Sequence, residues 1–359
     1  MPPRPSGVGD PVSPAGADPI LAIDVGMGTQ DILLYTPGIP VENSTRLVLP
    51  SPTRVRAAEI DRARGRGQPI ALTGVCMGGG PITRAVRRHL AHGLAVHATP
   101  DAALTLRDDI GEVEEMGVTI TTDLPGDAVR IHTGDLMMTE ITAALQRFGV
   151  PVPGQVAVAV QDHGYAPKAS NRRHRFRLLE RWLEEGDWAL TSSVRDPPPP
   201  EMTRMAAVRR TCSNALVVDT GPAAVMGTLC DSRVRDLAET GVCLVNAGNG
   251  HTLAFTIRGS EICGVFEHHT GLLDTGRLHE WLDRLMEGDI SSDAVFDDGG
   301  HGAAVNHPLP DVPLVVTGPN RRRLLPDAYQ AAPFGDMMLT GCFGLLAIWR
   351  ALRGSKSAI

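Results

Sequence analysis

The chain has 359 residues and a formal net charge of −7, from 34 Lys and Arg against 41 Asp and Glu. Hydrophobic residues at 42% supply enough apolar material for large cores, which excludes a disordered chain and, at this length, points to two domains or lobes. Aromatics are only 4%, and with the acidic balance this argues against a nucleic-acid partner, because phosphates need a basic face and bases need stacking rings.

Residues 1–18 hold five prolines and three glycines and read as a flexible tail. This segment lacks the basic start and apolar stretch of a signal peptide, and no 18-residue apolar run occurs, so the expected setting is cytoplasmic with no membrane partner. Residues 20–25 are an apolar run ending in Asp24, followed by a glycine turn and a returning apolar run at 31–35, which predicts a strand, turn and strand. Residues 69–75 form a second run, meeting Cys-Met-Gly-Gly-Gly-Pro and then a helical pattern over 82–92. The three glycines serve close strand–helix packing or an anion site; without a following Lys-Ser/Thr they are not a P-loop. The basic run 54–66 is expected to be a solvated helix face, and Asp135 to cap a helix.

Gln155–Val160 reads as a buried central strand and 172–185 as a helix, whose basic residues 172–177 are also expected to face solvent. Four prolines at 197–200 suggest the boundary between lobes at 19–196 and 201–359. Beyond it, 215–219 reads as a strand, 242–246, 252–257 and 261–266 as a three-strand meander, 313–319 as a strand entering a glycine turn, and 337–352 as a terminal apolar helix. The strand, glycine turn, strand unit at 20–35 thus recurs near 242–257. The six cysteines are never closer than 13 positions apart, so neither a CxxC nor a CxxxCxxC cluster exists, and dispersed free thiols are expected.

A carboxylate at a strand end beside a glycine turn suits a phosphate and its metal ion. In the first turn Asp24 is the candidate metal ligand, with Gly26, Gly28, Thr29 and Gln30 around the phosphate. In the second, Asn246, Gly248, Asn249, Gly250 and Thr252 take the corresponding places. Asp162 and His163 follow one predicted strand, and Glu267, His268 and His269 another. An acid next to an imidazole could act there as a base on water or a substrate hydroxyl. Two consecutive histidines in extended chain point opposite ways, so one metal held by both is not expected. The Gly-rich acidic loop 297–302 reads as a plain turn, with metal binding as its other reading.

Asp-Val-Gly-Met-Gly-Thr at 24–29, Thr-Gly-Pro-Ala-Ala at 220–224, Asn-Ala-Gly-Asn-Gly-His-Thr at 246–252 and Val-Val-Thr-Gly-Pro at 315–319 resemble, in order, motifs of the acetate kinase/sugar kinase/Hsp70/actin superfamily. More narrowly the chain resembles the DUF1786 family, often labelled a pyruvate formate-lyase activating enzyme, with further matches at 161–164 and 267–271. The resemblance implies an α/β fold of two ribonuclease H-like lobes, an actin-like ATPase, around a central cleft for ATP and Mg²⁺. Gly318 would lie in the adenosine-contacting turn. An ATPase or phosphotransferase acting on a small molecule or partner protein follows. One departure is Asn246, where the family's second phosphate hairpin usually has an acid. Two other readings therefore stay open: a catalytically silent nucleotide-binding module, and a metal-dependent hydrolase built on His163, His268, His269 and His301. Homo-oligomers are compatible with either. Radical S-adenosylmethionine chemistry is rejected, since it needs a cluster held by three cysteines that this chain lacks.

Overall fold

The structure is a computed structural model and describes residues 18–353. The expected tail falls almost entirely outside them. Two large sheets repeat one topology. In the first, the hairpin Ile20–Val25 and Thr29–Tyr35 continues into antiparallel Thr45–Pro50, while Gln155–Val160 and Leu216–Val218 add in parallel on the other side of Ile20–Val25. In the second, the meander Val242–Ala247, His251–Arg258 and Glu261–His269 has parallel Leu314–Thr317 and then Tyr329–Gln330 beside its first strand, with Gly302–Val305 on the far edge. Three antiparallel strands followed by two parallel ones, with the first strand central, is the ribonuclease H-like order. Its duplication makes this an actin-like ATPase fold.

Two features depart from expectation. A third, all-parallel sheet of Ile70–Gly74, Val96–Ala98, Thr119–Ile120 and Val129–Thr133 is inserted in the first lobe and has its own core around Ile60, Leu72, Val86 and Ile131. The prolines at 197–200 do not separate the sheets, because Leu216–Val218 pairs with Gln155–Val160 of the first. The chain changes lobe only afterwards, through the helix Thr220–Thr228, and returns at its end through the helix Thr340–Leu352. Residues 220–224 form that first helix's opening, with Asp219 accepting the Gly221 N–H as its cap.

Both crossing helices are buried nearly all round, as their apolar sequences require, and join the two sheets in one core running from Ala22 and Ala157 to Leu244 and Phe255. They cross where neither has a side chain. A Cβ on Gly227 would lie 1.8 Å from the Thr340 carbonyl oxygen, and one on Gly344 1.8 Å from that of Ala223. Gly344→Ala is therefore expected to force the helices apart and lose at least about 1–3 kcal/mol. Gly227→Ala should cost a similar amount, and the double variant less than the sum, because a single separation relieves both clashes. Urea denaturation of the three variants checks this; strict additivity would contradict a shared crossing point. Among the described residues, no helix is long and apolar enough to cross a membrane.

Candidate functional site

A cleft of about 440 Å³ opens between the lobes, where the strands that start each sheet end in their glycine turns. The turns are built alike. Gly26 N–H donates to the Thr29 carbonyl at 2.9 Å, and Gly248 N–H to that of His251 at 3.0 Å. Their tips touch: a Cβ on Gly28 would lie 2.5 Å from Asn249 Nδ2, and one on Gly250 3.3 Å from the Met27 thioether. Gly26, Thr29, Gly248, Asn249, Gly250 and Asn246 line the cleft, with Thr317, Gly318 and Pro319 on another wall. Asn320 ties that wall to the second turn, Nδ2 donating to the Gly248 carbonyl at 2.9 Å.

Two of the expected residues, Gln30 and Thr252, stay out of the cleft for a single reason. Side chains alternate along a strand, so Thr29 and His251 face the cleft and their neighbours Gln30 and Thr252 do not. Gln30 donates to the Pro50 carbonyl, and Thr252 is wholly buried against Thr270 at 3.0 Å. Gly28 lies outside the cleft lining as well, serving the contact with Asn249.

Asp24 has a companion that sequence reading did not single out. Asp31 is its direct cross-strand partner, and both carboxylates line the cleft. Asp24 Oδ1 and Asp31 Oδ1 are each shut off from the surface with no protein partner. Burial, and then the charge of Asp219, pushes the Asp24 carboxyl up to about 7; burial, and then Asp24 itself, takes Asp31 to about 8. The helix Thr340–Leu352 starts against this pair, so close that a Cβ on Gly341 would lie 1.9 Å from Asp24 Oδ2. Unpartnered carboxylate oxygens at a helix N-terminus beside two glycine turns fit an oxygen-seeking divalent cation and a phosphate.

The protonation of Asp31 has a sign that can be checked. Between the ordinary carboxyl value of 3.8 and about 8, the folded chain holds a proton that the unfolded chain has lost. Stability attributable to this group is thus complete at low pH and falls as pH rises through that window. Asp31→Asn is expected to flatten this decline and to stabilise the metal-free protein by a few kcal/mol near pH 9. Urea midpoints across the range measure it, and parallel wild-type and variant profiles would refute it.

Asp162 and Glu267 are not the free bases expected. Asp162 accepts backbone N–H groups on both oxygens, from Gly164 at 2.9 Å and Met205 at 2.8 Å. Glu267 is fully buried, taking Arg175 Nε at 2.9 Å and Gln161 Nε2 at 2.7 Å. Arg175 also grips Asp219, through Nη1 at 2.6 Å and Nη2 at 2.9 Å, and donates to the Asp162 carbonyl. The basic run 172–177 is therefore no uniform solvent face, since Arg175 is 4% exposed and joins the two lobes. Burial would raise the Asp219 carboxyl, but the adjacent guanidinium overrides it and holds the group below the usual range. Asp135 caps nothing: the next helix, Met138–Arg147, begins without a side-chain cap, and Asp135 pairs with Arg204 Nε at 2.5 Å while accepting the Gly78 N–H.

The strand Glu261–His269 sends its two terminal histidines to opposite sides, as expected. His268 leaves the cleft and lies 3.2 Å from Asp298 Oδ2, so it is no part of the candidate chemistry. His269 faces the cleft with His163 and His251. Behind them His301, from the loop 297–302, places Nε2 3.3 Å from His163 Nε2. Burial lowers all four imidazoles, His251 to about 3 and His301 to about 2, so they are neutral at physiological pH. His251 was missed in favour of its neighbour Thr252. The plain-turn reading of 297–302 holds for Asp298, which pairs with Arg277, but not for His301.

The family model described as "Putative pyruvate format-lyase activating enzyme (DUF1786)" matches residues 77–323, more than half of the chain. The chain belongs to this family. The matched span of the DUF1786 model includes the second hairpin, Arg175 and its two carboxylates, and all four cleft histidines; it starts after the first hairpin. A search of the curated proteins finds no match. Among solved structures, ethanolamine utilization protein EutJ from Carboxydothermus hydrogenoformans is 13% identical, with a TM-score of 0.36, over 93% of this chain and 91% of that one. A Ppx/GppA family member from Aquifex aeolicus is 10% identical, with a TM-score of 0.26, over 84% and 67%. The fold assignment of this DUF1786 chain rests on its strand order. The radical chemistry that the family description suggests finds no support in the cysteines, which are all free, with four of the six buried.

Proposed function

We propose that the chain binds ATP with Mg²⁺ in the interlobe cleft and transfers the terminal phosphoryl group to water or to a hydroxyl of a small molecule or partner protein. One observation carries this reading: two glycine turns meet tip to tip beside two buried carboxylates, each with one oxygen, Oδ1, that has no protein partner. The free N–H groups of the turns bind phosphate oxygens, and the 340–352 helix N-terminus adds its positive end. Asp24 and Asp31 would hold Mg²⁺, which when bound offsets the charge developing on the transferred group. Thr29 orients a phosphate through its hydroxyl. The Thr317–Pro319 wall receives the adenosine. With Asp162 and Glu267 committed to other partners and Asp24 and Asp31 assigned to the cation, the proton of the attacking hydroxyl passes to a phosphate oxygen or to water.

Calorimetric titration with ATP and a non-hydrolysable analogue, with and without Mg²⁺, tests the cleft, and phosphate release from the same sample tests the reaction. Micromolar, Mg²⁺-dependent binding followed by phosphate release is expected. Binding without release would favour a silent regulatory module, the reading that Asn246 supports by leaving the second turn without an acid. No binding by any nucleotide would overturn the proposal.

A further inference from the structure

Four imidazoles from four separate chain segments converge at one side of the cleft. Their ring centroids are 4.8 Å apart for His251 and His269, 4.8 Å for His251 and His301, 4.9 Å for His269 and His301, and 5.4 Å for His163 and His301. His251 and His269 are cross-strand partners in the second sheet, while His163 follows the Gln155–Val160 strand of the first. A candidate ligand atom from each of His163, His251 and His301 lies within 4.8 Å of the others. The 3.3 Å between His163 Nε2 and His301 Nε2 matches the edge, about 3.3 Å, of a tetrahedron whose metal–nitrogen bonds are about 2.05 Å.

We infer that His163, His251 and His301 form a site for one divalent transition-metal ion of the zinc class, bridging the two lobes, with His269 and the open cleft on the remaining side. The alternative is a hydrogen bond between the imidazoles of His163 and His301. That bond uses one nitrogen of each ring and leaves His251 Nε2 buried without a partner, a costly position for a polar atom in an interior. A metal takes up His251 Nε2 together with the facing nitrogens of its neighbours. Three imidazoles and no carboxylate make a donor set for zinc-like ions and not for Mg²⁺, so this site is chemically distinct from the Asp24–Asp31 pair. The charges around the site are largely paired: Asp219 and Glu267 outweigh Arg175, Asp135 faces Arg204, and Arg172 donates to the carbonyls of Phe296 and Gly300, fixing the loop that carries His301. A three-histidine site open to a substrate cleft also has the composition needed to present a metal-bound water. The histidine site stands whether or not the cleft takes a nucleotide.

The test is Co²⁺ titration of the metal-depleted full-length chain, followed by Zn²⁺ competition. Expected is one Co²⁺ per chain, with the visible absorption of tetrahedral nitrogen ligation, displaced by Zn²⁺ and accompanied by a raised melting temperature. His251→Gln and His163→Gln should each weaken binding at least about tenfold. Glu261→Gln, in a separate cluster, should leave it unchanged. A strong near-ultraviolet sulfur-to-cobalt band would move the ion to Glu261, Cys263 and His307, the other cluster with metal-binding groups among the described residues, and would overturn the assignment. So would substoichiometric binding to the wild-type chain, or unaltered affinity in a folded His251→Gln protein.

Discussion

Replacing Arg175 with methionine is expected to cost about 3–5 kcal/mol of stability. The guanidinium is nearly inaccessible and satisfies Asp219 and Glu267, one at the end of the first sheet and one within the second. Without it, two carboxylates remain close together in the interior with nothing to balance them. The cost therefore comes from the orphaned charges and not from the pair's own attraction, and a remedy follows. Arg175→Met combined with Asp219→Asn and Glu267→Gln should recover much of the loss, because the amides need no counter-charge. Urea denaturation at pH 7 compares the proteins. A loss below about 1 kcal/mol for the single variant would mean that water reaches these carboxylates and that the interlobe connection is weak.

Asp24→Asn is expected to reduce Mg²⁺-dependent ATP affinity about 10- to 100-fold while leaving Mg²⁺-free binding little changed, since the amide keeps the size of the side chain and loses its charge. The wild-type protein adds a pH signature. Protons compete with the cation for carboxyls near 7 and 8, so Mg²⁺-dependent affinity should rise between about pH 6 and pH 9 and then level. In Asp24→Asn the rise should shrink to the contribution of Asp31. Calorimetry at several pH values measures both. Wild-type affinity in the Asp24→Asn protein would remove the acid pair from the nucleotide site.

The parts of this fold that were legible in the sequence are those encoded over short distances. Each hairpin announces itself by an apolar run, a glycine turn and a second apolar run, and the recurrence of that unit implied the duplicated lobe. The inserted sheet was not legible, because strands as short as Val96–Ala98 and Thr119–Ile120 have no room to show a period. Nor could the sequence assign Leu216–Val218 to its sheet, since pairing with Gln155–Val160 spans two α-helices and the run of four prolines at 197–200. At the site, Asp24 and the turn glycines were readable from local chemistry. Asp31 and His251 would have followed from counting alternation outward from each turn. Arg175 could not have been found that way. It sits in a run with Arg172, Arg173 and Arg177, from which nothing local sets it apart, and its partners are 44 and 92 residues distant in the chain.

The crossing of Gly227 and Gly344 bears on how the cleft can open. The chain passes between lobes at the helices 220–228 and 340–352, and at their crossing the two backbones rest on each other with no side chain between them. This is the point of closest approach between the helices that link the lobes, and so the natural pivot for a turn of one lobe on the other. The lobes therefore have a natural axle, and the helix that forms half of it begins against Asp24. A turn about this axle would change the distance between the glycine-turn tips while leaving the acid pair in place, so ligand entry would be governed by the second lobe swinging over a stationary cation site.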